Sequence, residues 1–342
     1  MPPDLWSLYA LMLKSRLFEE TVTRFWKDGL ISGEMHLGTG EEAIVAGIVT
    51  QLSEGDAMCL DHRGTSPLLM RGVDPLLILR ELLGQPDGLC GGKGGHMHLF
   101  SKAHLIASSG IVGAGGPAAA GFALAAQYLR PGTLAVAFFG DGAMNQGMLM
   151  ESMNLAAAWN LPVLFVCKDD GWAITTQSRA VTGGDLAERA RSLGLEALET
   201  DGRDVSQVWE SVQHALARIR SGQGATFLRA RCVHLEGHFL GYPLLRATRD
   251  PIKEMPGIAK PLTRSLIHPG GGALSERLAG LEIILGALLT TFRDPRGDSA
   301  NDPVKRTRRL LKSNPVRLLE VEQDIEREVS RVAATALQEV AA

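Results

Sequence analysis

The chain has 342 residues, of which 45% are hydrophobic and 21% charged, and its formal net charge is −3. This length and composition predict one large or two modest globular domains and exclude a disordered chain. Positive and negative residues are interspersed, so no basic face favours a nucleic-acid partner. The longest apolar run, 278–292, contains Glu282 and is shorter than the ~20 residues needed to span a bilayer. The first nine residues also lack the pattern of a secretory signal.

The cysteine pattern bears on the compartment. The four cysteines are scattered along the chain without a CxxC pair: Cys59, Cys90, Cys167 and Cys232. This favours reduced, buried thiols over a disulfide framework or a zinc ribbon. We therefore expect a soluble, cytoplasmic protein with no membrane partner.

Helices dominate the predicted elements in the first quarter of the chain. Apolar residues at helical spacing predict an opening helix from residue 5 to about 26, ended by Gly29. A short helix at 41–52, a strand at 57–60 and a helix at 75–83 that begins with a proline follow. Residues 84–116 are dense in glycine and predict a long irregular loop whose backbone approaches a ligand closely.

Strands and helices alternate in the next part of the chain. The pattern predicts helices at 117–129, 145–159 and 205–220, and strands at 134–139, 163–167 and 226–233. Continuous apolar strands are typical of a parallel sheet covered by helices on both faces, so we predict an α/β fold. Proline and a glycine run interrupt the alternation after residue 251, and the last forty residues predict charged helices. We divide the chain into a main domain, 1–250, an inserted or appended segment, 251–300, and C-terminal helices, 301–342.

Acidic residues follow two neighbouring strands of this predicted sheet. The strand at 134–139 runs into Gly-Asp-Gly-Ala at 140–143, and the next strand runs into Asp169 and Asp170. Parallel sheets bind ligands at the carboxyl ends of their strands, and the helix that follows presents free N–H groups to a phosphate. Two oxygen ligands and a diphosphate suit Mg²⁺. Gly-Asp-Gly alone is also a common turn, so the wider sequence must decide.

That wider sequence resembles one enzyme family. The stretch GDGAMNQGMLMESMNLAAAWNLPVLFVCKDDGWAITT is similar to the thiamine-diphosphate motif in the alpha subunits of pyruvate, branched-chain 2-oxo-acid and acetoin dehydrogenases. The segments GEMHLGTGEEAIVAG, DHRG, GGKGGHMHLF and GIVGAGGPAAAG precede it and EGHF follows, in the order of the family. The resemblance covers roughly residues 5–250 and implies a thiamine-diphosphate-binding fold with thiamine diphosphate and Mg²⁺ as cofactors.

The resemblance also implies residue roles. The metal would be held by the side chains of Asp141 and Asp170 and by the backbone carbonyl of Trp172. The thiamine diphosphate itself would be held by His62, Arg63, Gly110, Val112, Gly142, Ala143 and His238. The implied catalytic residues are His238, near the phosphate end and the substrate channel, and His36, which would face the substrate.

Plainer interpretations of these side chains remain open at this point. Arg63 could be an ordinary surface ion-pair partner, His36 a buried core imidazole, and His238 an exposed loop residue. His96 and His98 alternate with apolar residues, so we interpret them as structural.

The resemblance implies partner proteins as well. In the family a beta subunit supplies the glutamate that activates the cofactor, so we expect two alpha and two beta chains with the cofactor at their interface. A lipoyl-bearing acyltransferase would accept the acyl group.

The chain departs from the family pattern at several places. Asp169 and Asp170 replace two asparagines, Thr65 stands where histidine is frequent, and Gly241-Tyr242-Pro243 replaces an aspartate-containing loop. The added carboxylates predict a less favourable charge balance beside a diphosphate. With the insertion before residue 301, they predict an atypical substrate or acyl acceptor and a reduced cofactor affinity.

Three other functions remain possible on the sequence alone. The first is a thiamine-dependent carbon–carbon ligase or decarboxylase that works without a lipoyl partner. The second is a non-catalytic subunit that retains the fold for assembly. The third is a dinucleotide-binding protein, because residues 113–116 are rich in glycine. The support is weak, since these glycines lack the G-x-G-x-x-G spacing of a dinucleotide-binding loop. The DHRG and EGHF segments lean slightly towards acetoin-type enzymes.

Overall fold

The computed structural model of the protein describes residues 4–241, 251–268, 270, 272–292 and 300–340. The first helix, α1 (Leu5–Lys27), begins at Asp4, whose side chain accepts a hydrogen bond from the backbone N–H of Trp6. Helix α2 (Glu42–Val49), strand β1 (Ala57–Leu60), helix α3 (Thr65–Met70) and helix α4 (Pro75–Leu82) follow. The predicted opening helix, the strand at 57–60 and the proline-initiated helix are thereby confirmed.

The glycine-rich region is less irregular than predicted. Two short strands, β2 (Phe100–Ser101) and β3 (Ile106–Ser108), form within it, and β3 pairs in parallel with β1. Side-chain hydrogen bonds, and not strand pairing, hold the segment from Cys90 to Gly94. The carboxylate of Glu81 accepts hydrogen bonds from the backbone N–H groups of Cys90, Gly92 and Gly94.

A parallel α/β unit forms the centre of the molecule. It contains α5 (Gly115–Leu129), β4 (Ala135–Gly140), a short 3-10 helix (Asp141–Asn145), α6 (Gly147–Ala158) and β5 (Val163–Asp169). A small hairpin of β6 (Trp172–Ala173) and β7 (Thr176–Gln177) follows. The chain continues through α7 (Leu186–Ser192), β8 (Glu196–Asp201), α8 (Val205–Arg220) and β9 (Thr226–Arg231). The sequence did not predict α7 or β8, and the helix predicted from residue 145 begins at Gly147.

Seven strands form the main sheet in the order β2-β3-β1-β4-β5-β9-β8. All neighbours are parallel except β2 and β3. Phe138 packs into a core with α1, α2 and α8, whereas Phe139 packs into a second core with α5, α6 and α7. Successive strand residues therefore bury their side chains on opposite faces. The predicted α/β fold with helices on both faces is confirmed.

Helices follow the main sheet towards the C-terminus. Helices α9 (Pro251–Ile267) and α10 (Leu274–Phe292) lie in the segment that the sequence analysis set apart as inserted or appended. Helices α11 (Pro303–Leu310) and α12 (Pro315–Val340) return to α1, where Tyr9 Oη donates a 2.6 Å hydrogen bond to Glu322. Among the described helices, none combines the length and apolarity needed to cross a bilayer. The three-part division of the chain stays a prediction.

Candidate active site

Asp141 lies where β4 ends, and its side chain is almost fully buried, with 1% of its surface exposed. Ser178 donates a hydrogen bond to its Oδ2 atom. Burial, together with the nearby negative charge of Asp170, raises the pKa of Asp141 to about 7. A buried carboxylate beside a second carboxylate is an incomplete arrangement, and a bound cation would complete it.

Asp170 follows the adjacent strand β5, as the sequence predicted from the two strand ends. Gly140 of β4 pairs with Lys168 of β5, which brings the two chain segments side by side. Asp170 Oδ1 accepts a 3.2 Å hydrogen bond from the backbone N–H of Trp172, and Asp170 Oδ2 lies 2.8 Å from His234 Nδ1. Burial would raise the pKa of Asp170, but the ion pair with His234 lowers it.

A cavity of roughly 260 Å³ opens at these strand ends. Its walls include all the residues that the resemblance assigned to the metal and the cofactor: His62, Arg63, Gly110, Val112, Asp141, Gly142, Ala143, Asp170, Trp172 and His238. Apolar side chains from Phe138, Phe139 and Ile174 line the same space. The structure thus brings together residues spread over more than half of the chain.

Glycines allow close approach of the backbone in this cavity. A Cβ atom on Gly142 would lie 3.0 Å from the Ala173 side chain, and one on Gly110 would lie 3.0 Å from Met97 Sδ. His62 contributes a polar atom, because its Nε2 is buried without a hydrogen-bond partner among the described residues. Close backbone, a buried polar atom without a partner and paired carboxylates fit a polar ligand carrying phosphate and a cation.

Buried charges lie next to the cavity. Glu41 Oε2 is 2.6 Å from Lys168 Nζ, and Glu41 Oε1 is 2.6 Å from His234 Nε2. Lys168 Nζ also lies 3.0 Å from Asp61. Burial would raise the pKa of Glu41, but Lys168 and His234 hold it well below its usual range. The carboxylate of Glu41 is therefore ionised and fully paired.

Arg63 is buried, which excludes its interpretation as a surface ion-pair partner. Its guanidinium donates hydrogen bonds to the backbone carbonyls of Leu37 and His238, the latter at 2.8 Å. Its Nε lies 3.7 Å from Glu41. Arg63 thereby ties the loop that carries His238 to the segment that carries His36.

Four imidazoles cluster at one end of the cavity. The His36 ring lies 4.6 Å from that of His62 and 4.9 Å from that of His238, measured between centroids. His36 Nδ1 is 2.9 Å from His96 Nε2. Burial and the charge of Arg63 lower the pKa of His36 to about 3 and that of His96 to about 4. His36 and His96 are therefore neutral near pH 7.

The two histidines to which the sequence assigned catalytic roles occupy different positions relative to the cavity. His238 lines the cavity. His36 is buried behind His62 and His238 and is not among the described residues that line the cavity. Its predicted contact with substrate stays a prediction, and the geometry places it as a support for the cavity imidazoles.

The departures from the family pattern have partners here. Arg229 Nε lies 2.7 Å from Asp169 Oδ2, and His234 Nδ1 lies 2.8 Å from Asp170 Oδ2. Thr65 Oγ1 donates a 2.8 Å hydrogen bond to the buried carboxylate of Glu19. In the departing loop, Tyr242 and Pro243 lie outside the described residues.

The sequence analysis did not identify several residues of the site, although two of them lie in or next to the motifs that it used. Glu41 lies in the segment GEMHLGTGEEAIVAG and Lys168 precedes the acidic pair. His234 and Ser178 carry no pattern of their own. Their roles depend on contacts between positions far apart in the chain, with Glu41 and His234 separated by 193 residues.

Several known proteins are similar to this chain over most of its length. Residues 9–264 match the family described as dehydrogenase E1 component. The chain belongs to that family. The alpha subunit of acetoin:2,6-dichlorophenolindophenol oxidoreductase from Cupriavidus necator is 40% identical over 238 residues, which cover 69% of this chain and 71% of that protein.

Two further relatives support the same assignment. The alpha subunit with the same name from Bacillus subtilis is 37% identical over 248 residues, covering 72% of this chain and 74% of that protein. The alpha subunit of the pyruvate dehydrogenase E1 component from Zymomonas mobilis is 37% identical over 255 residues, covering 74% and 72%. These matches confirm an E1 alpha subunit in a family of thiamine-diphosphate-dependent oxidoreductases.

Proposed function

We propose that this E1 alpha subunit holds Mg²⁺ and the diphosphate of thiamine diphosphate, and acts with a beta subunit on acetoin or a 2-oxo acid. The observation that carries the proposal is the pair of buried carboxylates, Asp141 and Asp170, at adjacent strand ends of a cavity with close-approaching glycine backbone. Such a donor set suits a hard cation that shares its coordination with phosphate oxygens.

Different residues of the site would bind the metal and the diphosphate. Asp141, Asp170 and the carbonyl of Trp172 would hold the metal, and the backbone at Gly142 and Ala143 would bind the diphosphate. When bound, thiamine diphosphate supplies a carbon nucleophile and an electron sink for cleaving the bond beside a carbonyl group. The protein positions the substrate and excludes water.

Two imidazoles at the cavity can move protons. Burial lowers the pKa of His62, so its ring is uncharged near pH 7 and its partnerless Nε2 can donate or accept a hydrogen bond. His238 lies beside it, with 5.3 Å between ring centroids. We propose that these two rings orient the substrate and carry protons to and from its oxygen atoms. His36 would hold them in place from behind.

The partners and the substrate belong to the same proposal. We propose a complex of two alpha and two beta chains, with a lipoyl-bearing acyltransferase as acyl acceptor, in the cytoplasm. The relatives with 37–40% identity are named for acetoin or pyruvate. Acetoin is the substrate to test first because DHRG and EGHF lean towards that branch.

The test is a calorimetric titration of thiamine diphosphate with Mg²⁺ into the chain co-expressed with its beta subunit. The wild-type complex should bind, and Asp141→Ala should lose at least 100-fold in affinity, equivalent to about 2.8 kcal/mol. Glu34→Ala removes an exposed carboxylate outside the cavity and serves as the control. Absence of binding by the wild-type complex would favour a non-catalytic assembly role instead.

Turnover then separates the substrates and acceptors. Acetoin, pyruvate and a branched-chain 2-oxo acid are each supplied with a lipoylated acceptor domain or an artificial electron acceptor. Turnover with the lipoyl acceptor supports a dehydrogenase role. Formation of a carbon–carbon bond without any acceptor would instead support the ligase function.

A further inference from the structure

We propose that His36, His62 and His238 form a metal site of their own, which binds a divalent transition-metal ion such as Zn²⁺ and blocks the cavity to substrate. One nitrogen atom from each ring lies within 4.8 Å of the other two. Nitrogen ligands suit Zn²⁺, whereas Mg²⁺ prefers oxygen, so this site differs in chemistry from the pair Asp141 and Asp170. The blocking of substrate rests on the proposed function, while the binding of the ion does not.

The spacing of the three rings is close to the spacing that a tetrahedral ion requires. Zn²⁺ lies about 2.1 Å from each nitrogen ligand, which places the ligand nitrogens about 3.4 Å apart. Nitrogens within 4.8 Å of one another reach that spacing when each moves inward by roughly 1 Å. The His62 and His238 rings are half-buried at the cavity wall, where rotation of their side chains provides such a movement.

Two of the three rings are neutral near pH 7 and offer a lone pair. Burial lowers the pKa of His36 to about 3 and that of His62 to about 2, so neither ring must lose a proton before it binds an ion. His62 Nε2 is also buried without a hydrogen-bond partner in the described part of the chain. A metal ion would supply the partner that this nitrogen lacks.

His96 provides the support that a ligating imidazole needs. Its Nε2 atom lies 2.9 Å from His36 Nδ1, and the two rings stack with 19° between their planes. Metal-binding histidines engage their second ring nitrogen in a hydrogen bond, which fixes the orientation of the ring. The contact with His96 occupies one nitrogen of His36 in this way and leaves the other for an ion.

Neighbouring charges make binding at this site reversible. Arg63 Nη2 lies 3.4 Å from His238 Nδ1, and the positive charge of the guanidinium opposes a bound cation. Glu41, which is 3.7 Å from Arg63 Nε, offsets part of that charge. We therefore expect binding that a chelator reverses, as inhibition requires, and not the tight binding of a structural zinc site.

An ion held by these rings would interfere with the substrate. His62 and His238 line the cavity, and the proposed function assigns to them the orientation of the substrate and the transfer of its protons. Three protein ligands leave one position of a tetrahedral ion for a water molecule. While both rings are bound to the ion, neither is free to bond to the oxygen atoms of the substrate. Zn²⁺ should therefore compete with the substrate.

The first test titrates Co²⁺, a coloured substitute for Zn²⁺, into the complex of alpha and beta chains after a chelator has removed bound metals. Excess Mg²⁺ is then added to keep Co²⁺ away from the carboxylates. One Co²⁺ per alpha chain should give the intense visible absorption of a four-coordinate ion, and Zn²⁺ should abolish it by displacement. Only the weak absorption of a six-coordinate ion would overturn the inference.

Variants locate the ion within the molecule. His62→Gln and His238→Gln each remove one ligand, so the affinity for Co²⁺ should fall at least tenfold in both. His104→Gln, a half-buried histidine outside the cavity, should bind as the wild type does. Asp141→Ala should keep the four-coordinate spectrum, because the carboxylates are not its ligands. Unchanged affinity in both His62→Gln and His238→Gln, with denaturant midpoints that show folded protein, would mean adventitious binding elsewhere.

The second test measures turnover with saturating Mg²⁺ and thiamine diphosphate. An artificial electron acceptor is used, since a dithiol acceptor would itself bind Zn²⁺. Zn²⁺ should raise the KM for the substrate and leave kcat unchanged, and a chelator should restore activity. A fall in kcat at unchanged KM would contradict the block of substrate. A complex without turnover that still shows the four-coordinate Co²⁺ spectrum would disprove the proposed function and leave the metal site established.

Discussion

Lys168 Nζ lies 2.6 Å from Glu41 Oε2, and both side chains are buried, Lys168 in strand β5 and Glu41 at the start of helix α2 in the cavity wall. Burial would lower the pKa of Lys168, but Asp61 and Glu41 raise it above its ordinary value. Both members of the pair are therefore charged. Since each is nearly inaccessible to water, each depends on the other for its electrostatic stabilisation.

Removing the lysine should destabilise the protein strongly. In Lys168→Met the Glu41 carboxylate loses its nearest cation, and the free energy of unfolding should fall by about 3 to 5 kcal/mol. Chemical denaturation followed by circular dichroism measures this change. Adding Glu41→Gln should recover part of the loss, because it removes the negative charge that has lost its lysine. A Lys168→Met variant with an unchanged midpoint would show that water reaches Glu41.

Glu19 should make stability depend on pH. Burial raises the pKa of Glu19 to about 7, from its ordinary value of 4.5. Because the folded protein binds the proton more tightly than the unfolded chain, this stabilisation is complete below about pH 4.5. It is lost as pH rises towards 7, by on the order of 3 kcal/mol.

The corresponding variant is Glu19→Gln, which is neutral at every pH. The difference in unfolding free energy between variant and wild type should move in favour of the variant between pH 4.5 and 7, and stay constant above about pH 7.5. Glu34→Gln, at an exposed position, should show no such change. Parallel stability profiles for Glu19→Gln and wild type would contradict the raised pKa.

Local pattern and long-range contact were not equally predictable. The strand at 57–60 is a short continuous apolar run and the helix at 205–220 has helical apolar periodicity, and the predicted bounds of both match the structure. Strand β3 has only three residues within a glycine-rich stretch, and pairing with β1 is what makes it a strand. No spacing rule links Glu41 to Lys168, because the fold alone brings them together.

The site shows the same limit. The two acidic strand ends were predictable because parallel strands present their carboxyl ends at one edge, and Asp141 and Asp170 do line one cavity. The contact between Asp170 and His234 was not predictable, since it joins positions 64 residues apart through side-chain orientation. The predicted loss of cofactor affinity from the added carboxylates stays a prediction.

Gly142 should be sensitive to a single added methyl group. A Cβ atom there would lie 3.0 Å from the Ala173 Cβ, which is tighter than ordinary contact, so the hairpin of β6 and β7 must shift. We expect Gly142→Ala to weaken thiamine diphosphate binding at least tenfold in calorimetry. Gly121→Ala is the matched control, because the space around that helix position is open. Equal cofactor affinity in the two variants would show that the hairpin adapts.

Ile174 carries backbone strain at the cavity wall. Its φ of 58° lies in the left-handed region, which costs a β-branched residue about 1 to 2 kcal/mol, and its side chain is 54% exposed. Asparagine tolerates this conformation, so Ile174→Asn should raise the free energy of unfolding by about 1 kcal/mol. The same variant should weaken cofactor binding, because it removes an apolar side chain from the cavity.

Val181→Asn separates strain from the simple loss of an exposed apolar residue. Val181 is also 54% exposed, but its φ is −128°, a conformation without left-handed strain. In chemical denaturation, the free energy of unfolding should increase for Ile174→Asn and stay unchanged for Val181→Asn. An equal increase in unfolding free energy at both positions would show that the effect comes from replacing an exposed apolar side chain with a polar one, and not from relief of backbone strain. A loss at Ile174 would mean that its contacts outweigh the strain, so that the conformation is held by packing against the cavity wall.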